Sequence, residues 1–275
     1  MLTLTDRQCF GVAVLFYGLS TLYWLFLWKE GFRHHNRVNY FLLLIGFGFH
    51  TAALVQRGFS LARCPVNNLY EATTFVAWTI LAAYLVVGLW SPLKFLGAFA
   101  SPILLAIGTF ALMPNLDPKT PPGVPEFSGG LLSFHAAVIL LAYGSFGLSC
   151  VAGLMYLSQE HDLRFRKLRA VLSLLPPIQR LERLIGQLLV AGFVLLSVGL
   201  VAGALYLKQT KGTFYQPDAK VWWSYFVWLI YLTLLIVHWR FHQTGRRFVW
   251  GAVASFAFVF LTFWGTNLLS GIHHQ

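Results

Sequence analysis

Five of the nine histidines in this 275-residue chain fall within or at the ends of long apolar runs. His50 lies inside the second run, in FGFHTAAL, and His135 lies at the start of the fifth, in SFHAAVILLAYG. His238 ends the seventh run, and His273 and His274 lie at the end of the chain. An ionisable side chain in hydrocarbon is costly, so these positions predict a functional site. The alternative is an interhelical hydrogen bond.

The stretch KGTFYQPDAKVWW, residues 211–223, is a second group of residues that can bind a ligand. Its rings are Phe214, Tyr215, Trp222 and Trp223, directly before the seventh run. Imidazole nitrogens can occupy the axial positions of a haem iron, and aromatic rings can stack on the porphyrin. The alternative interpretation is an aromatic belt at the membrane interface.

The composition determines which elements must position these residues. The chain is 57% hydrophobic and 11% charged, whereas soluble domains carry about 25% charged residues. The sequence therefore predicts an integral membrane protein in contact with the lipid bilayer. The net charge of +11 does not indicate a nucleic-acid partner, because the basic residues lie in short connections between apolar runs.

Eight apolar runs are each close to the length of about 20 residues that crosses a membrane. They are continuous rather than alternating, so they predict helices and not barrel strands. The expected fold is all-α, a polytopic membrane helix bundle of about eight transmembrane helices in a single domain, 1–275. The runs are 8–28, 38–56, 70–91, 95–113, 130–158, 184–207, 221–238 and 248–270.

The distribution of Lys and Arg predicts the orientation of the bundle. One set of connections holds thirteen of them and the opposite set holds seven, and the richer side is expected to be cytoplasmic. Both termini and the aromatic stretch then lie on the non-cytoplasmic side. His135 and His273 share that side, where two imidazoles could hold a haem between them.

Four segments carry a resemblance to a known family. They are CPVNNLYEATTFVAW (64–78), SFHAAVILLAYG (133–144), LPPIQRLERLIGQLLVAGF (175–193) and FWGTNLLSGIH (263–273). In this order, across nearly the whole chain, they resemble the haem-handling cytochrome c assembly family. That family contains the CcsA proteins and their HemX-like and CcmC relatives.

The aromatic stretch is similar to the Trp-rich WWD motif of that family, W-G-S-Y-W-S-W-D-P-K-E-T-W. Four positions match, Gly212, Asp218, Lys220 and Trp223. Four depart from it, Lys211, Pro217, Ala219 and Val221. The loop 208–223 is therefore a degenerate form of the WWD motif.

The resemblance implies a haem-delivery subunit of system II cytochrome c biogenesis, part of a holocytochrome c synthase (haem lyase). It implies haem b as the cofactor and His135 and His273 as axial ligands of the iron. The Gly-Ile-His match favours His273, while the spacing from Asn267 favours His274. It also implies an inner-leaflet haem on His238, with its second ligand from a CcsB-like subunit.

The remaining residues of the expected haem site are His50, Asp218, Glu71 and the four rings of the aromatic stretch. His50 recurs in some members of the family. Glu71 opens the third run, where it would cap the helix or bind Arg57 or Arg63, with a role in shaping the haem site as the alternative.

The implied partner is apocytochrome c, whose CxxCH cysteines receive the haem, and the implied location is the bacterial inner (cytoplasmic) membrane. Two other functions stay open. One is a HemX-like membrane regulator of haem biosynthesis, which the departures from the WWD motif favour. The other is a solute transporter, although we find no inverted repeat in the sequence.

Overall fold

Eight helices form the part of the chain that the structure describes. The structure is a computed structural model and describes residues 5–29, 37–61, 65, 68–89, 96–114, 116–117, 130–164, 177–215 and 218–269. The helices are α1 (Asp6–Lys29), α2 (Arg37–Leu61), α3 (Leu69–Val87), α4 (Leu96–Ala111), α5 (Gly130–Arg164), α6 (Ile178–Lys211), α7 (Ala219–Arg240) and α8 (Arg246–Leu269).

Each predicted run corresponds to one of these helices, so the predicted all-α membrane bundle is confirmed. Among the described residues, α1, α2, α3, α5, α6 and α7 are long and apolar enough to cross a membrane. The apolar helix α4 is shorter, with 16 residues and Pro102 inside it. The predicted position of both termini on the non-cytoplasmic side stays a prediction.

The first four helices pack together as one half of the molecule. α1 lies antiparallel to α2, as shown by the pairing of Asp6 with Arg57 near one end and of Ser20 with Asn39 near the other. The fully buried side chains of Tyr17, Leu43, Ile80, Tyr84 and Leu104 fill the space between the four helices.

The last four helices form the second half, around the long antiparallel pair of α5 and α6. The Phe146 ring of α5 stacks on the Tyr231 ring of α7, with centroids 3.6 Å apart. The indole of Trp228 on α7 donates a 2.9 Å hydrogen bond to the Ser197 hydroxyl of α6. α7 is therefore fixed to the α5–α6 pair by its inward face, while Leu229 and Ile236 on its other face are exposed.

Two glycines of α5 allow the halves to approach closely. A Cβ at Gly144 would lie 2.7 Å from the Cβ of Thr79 on α3, and one at Gly147 would lie 2.5 Å from Ile80. Small residues at helix crossings permit this kind of packing in membranes. The two halves thus meet at the interface of α3 with α5.

We name the two ends of the bundle for the site description. The outer end carries Asp6, Arg57 and Glu71, and the start of α5; it is the end predicted to be non-cytoplasmic. The inner end carries the turn from α7 to α8. There Glu182 of α6 accepts a 2.8 Å hydrogen bond from the backbone N–H of Gly245, whose φ is +70°.

Candidate functional site

His135 lies in the second turn of α5 at the outer end and is partly buried against α6. Its Nδ1 is 2.6 Å from the backbone carbonyl oxygen of Gly199. Because a carbonyl oxygen can only accept, Nδ1 carries the proton and donates it. Nε2 therefore keeps its lone pair. Histidines that bind metals show the same arrangement, in which a bonded N–H fixes the tautomer and the ring orientation.

The aromatic stretch lies between α6 and α7 at the same end. α6 ends at Gly212, whose φ of +70° turns the chain away from the helix axis. Beyond it, Phe214 is 55% exposed, Tyr215 41% and Trp222 63%. The rings of Tyr215 and Trp222 meet edge to face at 5.9 Å, and the Lys208 ammonium lies 4.4 Å from the Phe214 ring centroid. The loop thus presents large rings and a cation at the outer surface.

Trp223 and Asp218 have different surroundings from these three rings. Trp223 packs against Phe226 at 5.5 Å and Phe258 at 6.0 Å. Asp218 directly precedes α7, and its backbone carbonyl accepts the first hydrogen bond of the helix, 3.1 Å from the N–H of Trp222. Both residues therefore support the start of α7.

His238 lies at the opposite end, in the last turn of α7. Its Nδ1 donates a 2.9 Å hydrogen bond to the carbonyl oxygen of Gln243, and its ring stacks on Phe248 with centroids 4.0 Å apart. Nε2 again keeps its lone pair and faces α6, 3.8 Å from the position that a Cβ would take at Gly186.

An open groove of about 590 Å³ extends from His238 along α6. Its walls are Gln179, Glu182, Arg183, Gly186, Gln187, Val190, Ala191, His238 and Trp239. The groove combines mostly apolar surface with the charged side chains of Glu182 and Arg183 and an imidazole that has a free nitrogen, so it can take a flat ligand that carries a metal ion.

One helix connects the two histidines. His135 contacts α6 at Gly203 and His238 faces it at Gly186. At 1.5 Å per residue these positions are about 25 Å apart along the axis. The two imidazoles therefore belong to separate sites near the two ends of α6, and not to one site.

Glu71 lies in a network of ion pairs at the outer end of the other half. Its side chain is 0% exposed, and Arg57 Nε lies 3.0 Å from its Oε1. The same guanidinium pairs with Asp6 at 3.0 Å and with Asp117 at 2.5 Å. Of the two arginines expected near Glu71, Arg57 binds it, and Arg63 lies outside the described residues. The residue that caps α3 is Asn68, whose side chain accepts the Glu71 N–H at 2.7 Å.

His50 is enclosed between α1, α2 and α3. Its ring is 0% exposed, its Nδ1 shares a 2.8 Å hydrogen bond with the Tyr17 hydroxyl, and the Phe10 ring lies 4.8 Å away. This placement is that of a core residue. Its Nε2 is buried with no hydrogen-bond partner among the described residues, and the prediction that His50 contacts a cofactor stays a prediction.

His273 and His274 lie outside the described residues, so the expected pair of His135 with either of them stays a prediction. The sequence did not reveal the groups that orient the imidazoles of His135 and His238, which are the backbone carbonyls of Gly199 and Gln243. The sequence did contain a signal for the Gly199 carbonyl, because Gly192, Gly199 and Gly203 recur along one face of α6.

Comparison with known proteins identifies the family. Residues 66–273 match the family described as "Cytochrome C assembly protein". The chain belongs to this family. The resemblance in the four sequence segments is thereby confirmed, and the family match spans the NLYE segment, both described imidazole sites and the degenerate WWD loop.

Several curated members of the cytochrome c assembly family cover most of this chain. "Cytochrome c biogenesis protein CcsA" of Guillardia theta is 26% identical over 91% of this chain and 89% of its own length. The protein of that name from Prochlorococcus marinus (strain MIT 9303) is 31% identical, covering 81% of this chain and 79% of its own. That of Chlorella vulgaris is 27% identical over 98% and 94%.

Proposed function

We propose that this protein is a haem-handling subunit of cytochrome c maturation that binds haem at both ends of its α5–α8 half. One observation carries the proposal. His135 and His238 both donate from Nδ1 to a backbone carbonyl, which leaves Nε2 of each imidazole for iron. Membership of the cytochrome c assembly family and the similarity to CcsA proteins support the same function.

At the inner end, the groove beside His238 would take up haem b. Its apolar wall can cover the porphyrin, and Arg183 can pair with a propionate. The groove is open at its side, and a CcsB-like subunit is our candidate for the second iron ligand there. We place the protein in the bacterial inner membrane, with this end facing the cytoplasm.

At the outer end, His135 would hold haem from one side, with His273 or His274 as the opposite ligand. Tyr215 and Trp222 would cover the exposed edge of the ring system. Apocytochrome c would supply the CxxCH thiols. Each thiol adds across a vinyl group, so a C–S bond forms and the thiol hydrogen moves to the second vinyl carbon. The addition needs correct positioning of the reactants and no nucleophile from this chain.

Reduced absorption spectra of the purified protein test the proposal. We expect bis-histidine b-type haem in the wild type, and a partial loss of bound haem in His135→Ala and in His238→Ala. His161→Ala serves as the control, because His161 is an exposed histidine of α5 outside the expected haem sites, and it should keep the full haem content. Two results would contradict the proposed function. One is folded wild-type protein that binds no added haem, and the other is an equal loss of haem in all three variants.

A HemX-like regulator of haem biosynthesis is the second candidate, favoured by the departures at Lys211 and Pro217 from the WWD motif. A deletion strain separates the two functions. Loss of c-type cytochromes supports delivery. Normal c-type cytochromes with altered haem precursor levels support regulation.

A further inference from the structure

The contact between α5 and α6 places three large side chains over three glycines. Phe146 lies over Gly192, Ile139 over Gly199 and His135 over Gly203. A Cβ at these glycines would come within 2.5, 2.6 and 2.7 Å of the opposing side chain. The pairs follow one antiparallel register. Along the three pairs the residue number in α5 falls by seven and then by four, while the residue number in α6 rises by seven and then by four.

The pair at the outer end differs from the other two in chemistry. Phe146 and Ile139 fill space, whereas His135 also bonds to α6 through Nδ1. A Cβ at Gly203 would lie 2.7 Å from Cε1 and 2.8 Å from Nδ1 of His135, but 3.5 Å from Nε2. The missing side chain therefore makes room for the edge of the ring that carries the hydrogen bond.

The acceptor of this hydrogen bond belongs to the same face of α6. Gly199 lies one turn before Gly203, and its carbonyl oxygen points along the helix towards the following turn. The imidazole can reach that oxygen only by lying in the space above Gly203. Gly199 and Gly203 together thus form a notch that accepts the ring in one orientation.

We propose that Gly203 is a positioning residue for the haem ligand, because it lets α6 fix the tautomer and direction of His135. This inference rests on the proposed function for the identity of the ligand, but the orientation itself is a property of the protein without haem. Any side chain at position 203 displaces Nδ1 from the Gly199 carbonyl. Loss of such an outer partner typically costs about 10–100-fold in metal affinity.

A glycine that merely allows helix packing would give a different result, and α6 provides the matched control. Gly192→Ala introduces the same methyl group into the same helix contact, against Phe146 at 2.5 Å. We expect Gly203→Ala and Gly192→Ala to lower the thermal midpoint of the full-length protein in detergent by similar amounts. Only Gly203→Ala should weaken haem retention, by about tenfold or more, and shift the haem midpoint potential.

The haem-free protein gives the second measurement. Nitrogen-15 NMR of labelled histidine should show His135 protonated on Nδ1 in the wild type and in Gly192→Ala, and not in Gly203→Ala. His135→Ala assigns the resonance. A wild-type His135 protonated on Nε2 would overturn the inference even if Gly203→Ala fails to fold. Unchanged tautomer and haem affinity in a folded Gly203→Ala would also overturn it.

The two measurements separate this inference from the proposed function. Wild-type protein that binds no haem, yet shows the Nδ1-protonated tautomer lost in Gly203→Ala, would refute haem handling and keep the positioning role. Haem bound through His135 with equal affinity in both glycine variants would keep haem handling and refute the role of Gly203.

Discussion

In the α1–α4 half, Arg57 and His50 bond to other side chains, whereas in the α5–α8 half two imidazoles bond to backbone carbonyls. Arg57 contacts three carboxylates, and His50 contacts Tyr17. His135 and His238 instead contact Gly199 and Gln243. A polar group inside a membrane is therefore not by itself a ligand site.

The comparison suggests that the first half contributes stability and that the second half carries the haem sites. Side-chain ion pairs and hydrogen bonds connect the helices of the first half, and the second half carries the two proposed haem ligands beside the α5–α6 pair. The difference lies in the surroundings of the second imidazole nitrogen. Nε2 of His50 has no hydrogen-bond partner among the described residues and is enclosed, whereas His238 lines an open groove. Substitutions in the first half should then change stability and leave haem binding unaffected.

Arg57→Ala should have the largest effect on stability. It removes the guanidinium that binds the fully buried Glu71 side chain, and removing one partner of a buried pair costs about 3–5 kcal/mol. The loss of stability is measured as a lower thermal unfolding midpoint in detergent. Arg7→Ala is the control, because Arg7 is exposed and, among the described residues, bonds to the backbone carbonyls of Leu112 and Met113 and to no carboxylate. Equal unfolding temperatures for the two variants would contradict the structural role of the network.

Gly144→Ala tests the interface between the halves and should have an intermediate effect. The added methyl group would meet the side chain and backbone of Thr79 at 2.7–2.8 Å, and overpacking of this kind costs about 1–3 kcal/mol. Gly48→Ala is the control, since its Cβ would meet no atom within 4 Å. A Gly144→Ala protein as stable as Gly48→Ala would show that α3 and α5 do not pack this closely.

Tyr17→Phe should have the smallest effect. It removes the hydroxyl that bonds to His50, and single hydrogen bonds between membrane helices contribute about 0.6 kcal/mol on average. The haem spectrum should be unchanged. A spectrum that shifts in Tyr17→Phe would break the comparison, because it would place the His50 region in contact with bound haem.

The eight helices could be predicted from the sequence because continuous apolar runs leave no other structure possible in lipid. One boundary of the prediction was wrong. The sixth run was expected to begin at residue 184, but α6 begins at Ile178. Leu181, Ile185 and Leu188 are all buried, so the apolar repeat continues in phase from the Pro177 cap into the membrane span.

The candidate site could be predicted only in part. His135 and His238 were found because a histidine in an apolar run is unusual. The groups that orient them are backbone carbonyls, which every residue has, so no residue type distinguishes them in the sequence. Gly199 follows His135 by 64 positions, and only the register of two packed helices brings them together.

The short α4 helix has a consequence for the lipid around the protein. Its 16 residues rise about 24 Å, which is about 6 Å less than a hydrocarbon core of roughly 30 Å. Of its residues only Ala106 and Thr109 are exposed, so the neighbouring helices α1, α3 and α5 cover most of its surface. Acyl chains therefore contact little of the short helix, and only a small area of bilayer has to adapt to its length.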